Sequence, residues 1–387
     1  MPEPAALTPT ALAHACAVPP ARITRDDPAA AGLLTIDLGA IEGNYRHLSA
    51  IARGSACAGV VKADAYGLGA KQVVKVLLKA GCTEFFVAQL CEALDLRPLI
   101  PEGATLHVLN GLSPGAESTA AAAGIVPVVN GFDQLVAWGR LARDLGRKLS
   151  VVVQVDTGMS RLGLSADEVA RVAAAPELFD GLSLKLVMSH LACGDEPDHP
   201  ANAFQLGNFL AHTAKLPPAP RSLANSAGIF LGSDYHFDLC RPGAALYGIH
   251  VGPRAHGIRP VAQLSARVAQ VRDVPAGVHV GYSWTFRADR PMRLATIAVG
   301  YADGWPRSLS NSGAAWCDGI RLPIIGRVSM DSFTCDISAL PEGRLAAGSL
   351  VELIGEHQDA DAVGGLAASF GYEMLTRLGH RYARTYR

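Results

Sequence analysis

The chain of 387 residues is poor in charge and in aromatics, with Asp, Glu, Lys and Arg making up 18% of it and Phe, Trp and Tyr 6%. Set beside 49% apolar residues, a charge share below the usual ~25% excludes a disordered chain, which lacks the apolar surface to offset its ordering entropy. Neither sign of charge dominates: 34 Lys and Arg face 35 Asp and Glu, so no cationic footprint for nucleic acid is expected. No apolar run approaches the ~18 residues of a membrane helix. Residues 1–31 carry Glu3 where a secretory leader starts basic, and His14 interrupts Ala11 to Val18, so they read as an N-terminal extension. The eight cysteines (16, 57, 82, 91, 193, 240, 317, 335) contain no CxxC pair and no metal-type spacing, which speaks against a metal site and for a reducing, cytoplasmic setting. Nucleotide loops are missing as well, because Gln72 stands where a third glycine would follow Gly67-Leu68-Gly69, and no Walker A sequence occurs. Lysine is absent after residue 215, so any lysine chemistry belongs to the first part of the chain.

From residue 32 onward, short β-like runs alternate with helical patterns. The runs are Leu33 to Asp37, Ala58 to Val61, Phe85 to Ala88, Leu106 to Leu109, Val126 to Val129, Ser150 to Val155, Leu182 to Ser189, Ser222 to Ala224 and Ala244 to Ile249. Eight or nine strands interleaved with helices predict an α/β fold, an N-terminal (β/α)8 TIM-like barrel over residues 32–257, with an open doubly wound sheet as the alternative. A mainly β C-terminal domain is predicted over residues 258–387, from alternation in Ala266 to Val274, Leu294 to Val299, Ile324 to Asp336 and Leu350 to Ile354. A helical segment, Ala360 to Phe370, precedes Gly371-Tyr372-Glu373. Lys71, Lys75 and Lys79, spaced by four, mark a solvated helix face.

Within Ala58-Gly59-Val60-Val61-Lys62-Ala63-Asp64-Ala65-Tyr66-Gly67-Leu68-Gly69, an apolar strand ends directly in a lysine. Barrels mount their active-site groups at that end of the strands, and a desolvated lysine becomes a nucleophilic amine near neutral pH. Taken alone, the feature also fits a strand-end lysine reaching solvent. The stretch Val60 to Gly69 resembles the pyridoxal-phosphate attachment motif of bacterial alanine racemases. Seven further segments match that family in order: Val155 to Gly163, Ser189 to Cys193, Ala224 to Ala227, Arg241 to Ala244, Val280 to Ser283, Ile297 to Gly304 and Gly326 to Asp331. The resemblance runs from about residue 33 to residue 386. It implies a pyridoxal 5'-phosphate enzyme that interconverts L- and D-alanine, and a homodimer whose sites are completed across the interface.

Racemisation removes the α-proton from one face of an amino acid and returns it to the other, which needs an electron sink and two proton-transfer groups. The resemblance implies Lys62 as cofactor anchor and as base on one face, and Tyr282 of the neighbouring subunit on the other. A phenol of pKa ~10 is a weak base at neutral pH. The resemblance links Tyr282 through His190 to Arg241, which also donates to the pyridine nitrogen. It assigns the phosphate to Ser226, Gly243, Ala244, Tyr66 and Tyr372, beside Asn225. Arg161 is implied for the cofactor and the substrate carboxylate, Met330 for that carboxylate from the other subunit, and Tyr301 for the entrance. As isolated signals, Met330, Tyr301 and Tyr282 also fit core or interface packing, and Asn225 and Ser226 a helix cap.

One position departs from the family. Many alanine racemases carry a carbamylated lysine seven residues before the arginine, and here that residue is Gln154. A broader amino-acid racemase and a non-catalytic pyridoxal-phosphate carrier are the other readings, although a carrier has no need of the second domain with Tyr282 and Met330. D-Alanine supply to peptidoglycan is the expected role.

Overall fold

The computed structural model describes residues 29–387, so nearly all of the expected N-terminal extension lies outside the described residues. Seven parallel strands pair in chain order: Gly59–Val60, Glu84–Val87, Thr105–Val108, Val126–Val129, Leu149–Gln154, Leu182–Met188 and Arg221–Ser222. An eighth, Leu239–Cys240, closes the ring. It pairs with Ala56–Cys57, just before the first strand, and on its other side Asp238 N donates to Arg221 O (3.0 Å) and Arg241 N to Ala224 O (2.9 Å). Alternation along each strand sorts the side chains. Ala58, Val60, Phe86, Val128, Val152, Leu186 and Met188 form one buried cluster inside the ring, while Val61, Phe85, Val87, Val151 and Val153 pack with the outer helices. In the helix Ala70–Lys79, Val73, Val74 and Leu77 are buried and the three lysines exposed, as their spacing predicts.

Beyond the barrel, eight strands form a second sheet in the order Met292–Ile297, Phe333–Asp336, Ile320–Ile325, Ala314–Cys317, Leu350–Ile354, Ala262–Val274, Gly32–Ile36 and Ala383–Tyr386. The long strand Ala262–Val274 shifts register between Val268 and Gln270 and so serves two sets of neighbours, pairing with Met292–Ile297 beyond the shift.

Three strand expectations change. The run Leu33 to Asp37, counted with the barrel above, belongs to the second sheet, where Gly32–Ile36 runs antiparallel to Ala262–Ala266 and parallel to Ala383–Tyr386. It is buried throughout, and a side chain at Gly32 would overlap the ring of Tyr382. Ala244 to Ile249 is not a strand, because Ala244–Tyr247 forms a short 3-10 helix after Gly243, and Leu239–Cys240 takes the eighth place. Ile324 to Asp336 divides into two strands around a loop, Gly326 to Ser332, that carries Met330.

Candidate active site

Lys62 stands just past the first barrel strand, at the head of an unusual turn. Ala63, Asp64, Ala65 and Tyr66 have φ of 53°, 53°, 54° and 56°, a left-handed turn without glycine that costs roughly 1–2 kcal/mol per residue. Surrounding contacts hold it. Glu92 accepts from Ala63 N through Oε1 (2.5 Å) and from Ala88 N and Gln89 N through Oε2 (2.8 and 2.9 Å). Asp64 Oδ1 accepts from Ala70 N (2.7 Å), and the Tyr66 ring stacks on Tyr247 at 4.7 Å, whose hydroxyl donates to Val60 O (2.8 Å). The outer helix therefore starts only at Ala70, leaving Lys62 and Tyr66 at the barrel mouth. Burial lowers the Lys62 amine below the usual lysine value, the charge of Arg161 adds to this, and Glu92 partly opposes it.

Arg161 is exposed on the loop after Leu149–Gln154. Asp156 Oδ1 shapes that loop by accepting from Gly158 N (2.9 Å), Met159 N (3.0 Å) and Ser160 N (3.1 Å). Gly163, at φ 110°, closes it, since a Cβ there would lie 2.6 Å from Asp156 N. Gln154 is 7% exposed, and its carbonyl accepts from Leu164 N (2.8 Å). An amide at this position brings no negative charge to Arg161.

His190 lies beyond Leu182–Met188. Burial, then the charges of Arg241, Arg161 and Lys62, push its pKa down to about 3, so its ring is neutral at pH 7. Arg241 is 4% exposed, and burial lowers it to about 10, which leaves it protonated. Its guanidinium donates to Ser189 O (2.5 Å) and to Ser222 Oγ, with further N–H groups free for a ligand.

On another side of the mouth the groups are neutral. Ser226 Oγ, buried, accepts from Gly243 N (2.8 Å) and Ala245 N (3.2 Å). A Cβ on Gly243 would sit 2.5 Å from Tyr66 Oη, so glycine keeps the phenol, the hydroxyl and the backbone amides within reach of one shared acceptor. Burial and the neighbouring Tyr372 raise the Tyr66 phenol to about 12, and burial raises Tyr372 too, so both stay protonated donors. Ala244 opens the 3-10 helix beside them, while Asn225 Oδ1 is engaged locally with Gly228 N (2.9 Å), the capping use anticipated for it. Neutral donors for a phosphate, a buried guanidinium and a desolvated amine around one barrel mouth form a donor set that fits pyridoxal phosphate.

Three expected residues stand apart. Tyr282 is 70% exposed, Met330 54% and Tyr301 45%, all on the second domain, and Tyr282 is not among the groups that act on Lys62 or His190 within the chain. Sequence reasoning missed Glu92, Ser222 and Tyr247. Glu92 had a readable signal, the Gln89-x-x-Glu92 spacing of a helix start, whereas Tyr247 and Ser222 had none.

Comparison with known proteins gives the family. The family model described as alanine racemase, N-terminal domain, matches residues 36–251, and that for the C-terminal domain residues 261–386. The chain is 53% identical over 361 residues to a protein named catabolic alanine racemase from Mesorhizobium japonicum, covering 93% of this chain and 94% of that one. To the alanine racemase of Brucella ovis it is 53% identical over 374 residues, with the same two coverages. Among solved structures, the alanine racemase of Bartonella henselae with covalently bound pyridoxal phosphate superposes with a TM-score of 0.90 at 43% identity, covering 92% of this chain and 100% of that one.

Proposed function

The chain belongs to the alanine racemase family, which is pyridoxal-phosphate-dependent, and from that premise we propose a two-base racemisation of alanine with Lys62 and Tyr282 on opposite faces of Cα. When bound, the cofactor supplies the electron sink that makes the α-proton removable. The observation that carries the reading is the Lys62 amine, set at a barrel strand's end with its pKa depressed by burial and by Arg161. Such an amine is neutral more often than an ordinary lysine and suits both cofactor capture and proton transfer at Cα. Arg161 offers a planar fork for the substrate carboxylate. A neutral His190 ring can accept at one nitrogen and donate at the other, so it can link Tyr282 to Arg241 without adding a charge of its own. Arg241 would hold the cofactor ring by donating a hydrogen bond to it and, being protonated itself, would favour a pyridine nitrogen without a proton.

Tyr282, Met330 and Tyr301 reach this site from a second copy of the chain in the proposed homodimer. In support, these residues and Trp284 (70% exposed) place large apolar side chains in water, as residues buried by a partner do. An arriving phenol meets the positive charges of Arg161 and Arg241, which favour phenolate. No helix among the described residues is long and apolar enough to cross a membrane, and the setting we propose, from cysteines without paired spacing, is cytoplasmic. D-Alanine supply to peptidoglycan is the proposed role; loss of the protein from its own host is then expected to create a D-alanine requirement, whereas the catabolic role in the name of one relative predicts poorer growth on alanine with no such requirement. Borohydride reduction of the purified protein, followed by peptide mapping, is expected to fix the cofactor on Lys62. A label on another lysine overturns the assignment.

A further inference from the structure

Met330 and Tyr301 sit on separate loops, and neither loop is a regular strand. Tyr301 opens a 3-10 turn, Tyr301–Asp303, and Met330 lies in the stretch between Ile320–Ile325 and Phe333–Asp336. Their backbones are laced together: Tyr301 N donates to Ser329 O (3.1 Å) and Ala302 N to Met330 O (2.9 Å). The approach is close enough that a Cβ on Gly300 would lie 2.5 Å from Met330 C. One side chain spans both loops. Arg381 donates to Asp303 through Nε and Nη2 (2.6 and 2.8 Å), and its Nη1 donates to Asp331 (2.7 Å).

The two carboxylates differ in kind. Asp303 is 4% exposed and also accepts from Gly300 N through Oδ2 (3.0 Å), so it is tied to the backbone just before Tyr301. Asp331 is largely exposed and directly follows Met330. A bidentate guanidinium on a buried carboxylate is a rigid mount, and its third contact transfers that rigidity to the neighbouring loop. Lysine keeps the charge but has no planar fork and cannot span both carboxylates in this geometry.

We propose that Arg381 is a positioning residue for the substrate, which sets the Met330 backbone amide and the Tyr301 ring in one arrangement by bridging Asp303 and Asp331. This rests on the reading that Met330 and Tyr301 serve the substrate of the neighbouring subunit. Arg381 itself touches neither substrate nor cofactor; it acts on binding rather than on proton transfer. Its loss therefore raises KM while the lysine-bound cofactor keeps its visible absorbance.

The test compares Arg381→Lys, Asp331→Asn, their double variant and Tyr301→Ala as purified, cofactor-loaded enzymes. Each is measured for kcat and KM with L-alanine, for cofactor absorbance and for Tm. Arg381→Lys is expected to raise KM about tenfold with kcat within about threefold and the absorbance retained. Asp331→Asn, at an exposed position, is expected to raise KM about threefold without a change in Tm, and the double variant to be no worse than Arg381→Lys alone. Tyr301→Ala raises KM independently of the clamp. If Tyr301→Ala raises KM while Arg381→Lys and Asp331→Asn leave it at the parent value, the clamp is refuted and the substrate role of the loops stands. If Tyr301→Ala also leaves KM unchanged, the underlying reading fails and the clamp with it. A drop in Tm with unaltered KM in both Arg381→Lys and Asp331→Asn assigns Arg381 a purely structural role and likewise overturns the proposal.

Discussion

Glu92 holds the turn behind Lys62 with two oxygens, and replacing it by glutamine disturbs only one of them. The amide oxygen of Glu92→Gln can keep the adjacent donors Ala88 N and Gln89 N, which share Oε2 at 2.8 and 2.9 Å. Its NH2 group then faces Ala63 N, formerly 2.5 Å from Oε1, and two donors oppose each other. Losing one charge-assisted bond and leaving that N–H to find water costs about 1–3 kcal/mol, which corresponds to a Tm lower by roughly 1–4 °C. The same change removes a negative charge that raises the Lys62 pKa, so the amine is depressed further. In cofactor-stripped protein, the pH profile for capture of added pyridoxal phosphate, followed by its absorbance, is therefore expected to shift to lower pH. An unchanged Tm together with a profile that stays in place or moves to higher pH would refute the role of Glu92 in holding the left-handed turn and in setting the amine.

Tyr282→Phe removes the proposed second base from a highly exposed side chain, so kcat is expected to fall about 10²–10⁴-fold with Tm and cofactor absorbance unchanged; racemisation at the parent rate rules that base out. Gly243→Ala brings a methyl group 2.5 Å from Tyr66 Oη and displaces one phosphate donor, so the cofactor is expected to bind about 10–100-fold more weakly in a titration. His190 titrates near 6.5 unfolded and about 3 folded, so the unfolded state binds the extra proton first and the stability held above pH 6.5 is lost as pH falls toward 3. Urea unfolding of His190→Asn is expected to depend less steeply on pH across that window, and an unchanged slope contradicts the buried neutral ring.

The proposed site residues Lys62 and His190 could be read from the chain because each follows an apolar strand run. Lys62 after Val60-Val61 and His190 after Leu186 to Ser189 were visible as polar residues terminating apolar runs. Strand membership was less legible. Gly32–Ile36 is buried on both faces, so it reads like a barrel strand, and only its partners 230 and 350 residues away, Ala262–Ala266 and Ala383–Tyr386, reveal that it is not. The run Ala244 to Ile249 is apolar because Ala245, Leu246 and Tyr247 of its short 3-10 helix are buried, which periodicity cannot distinguish from a short strand. The clamp by Arg381 was invisible for a different cause: it joins residues 303, 331 and 381, and no local pattern encodes an ion pair across such separations.

The neighbouring positions of Gly32–Ile36 and Ala383–Tyr386 bear on how the protein is made. A ribosome delivers the first of these strands about 350 residues before Ala383–Tyr386, one of its two flanking partners. The barrel can assemble in that interval, but the second sheet lacks its outermost strand until Ala383–Tyr386 emerges, and until then one edge of Gly32–Ile36 stays open to mispairing.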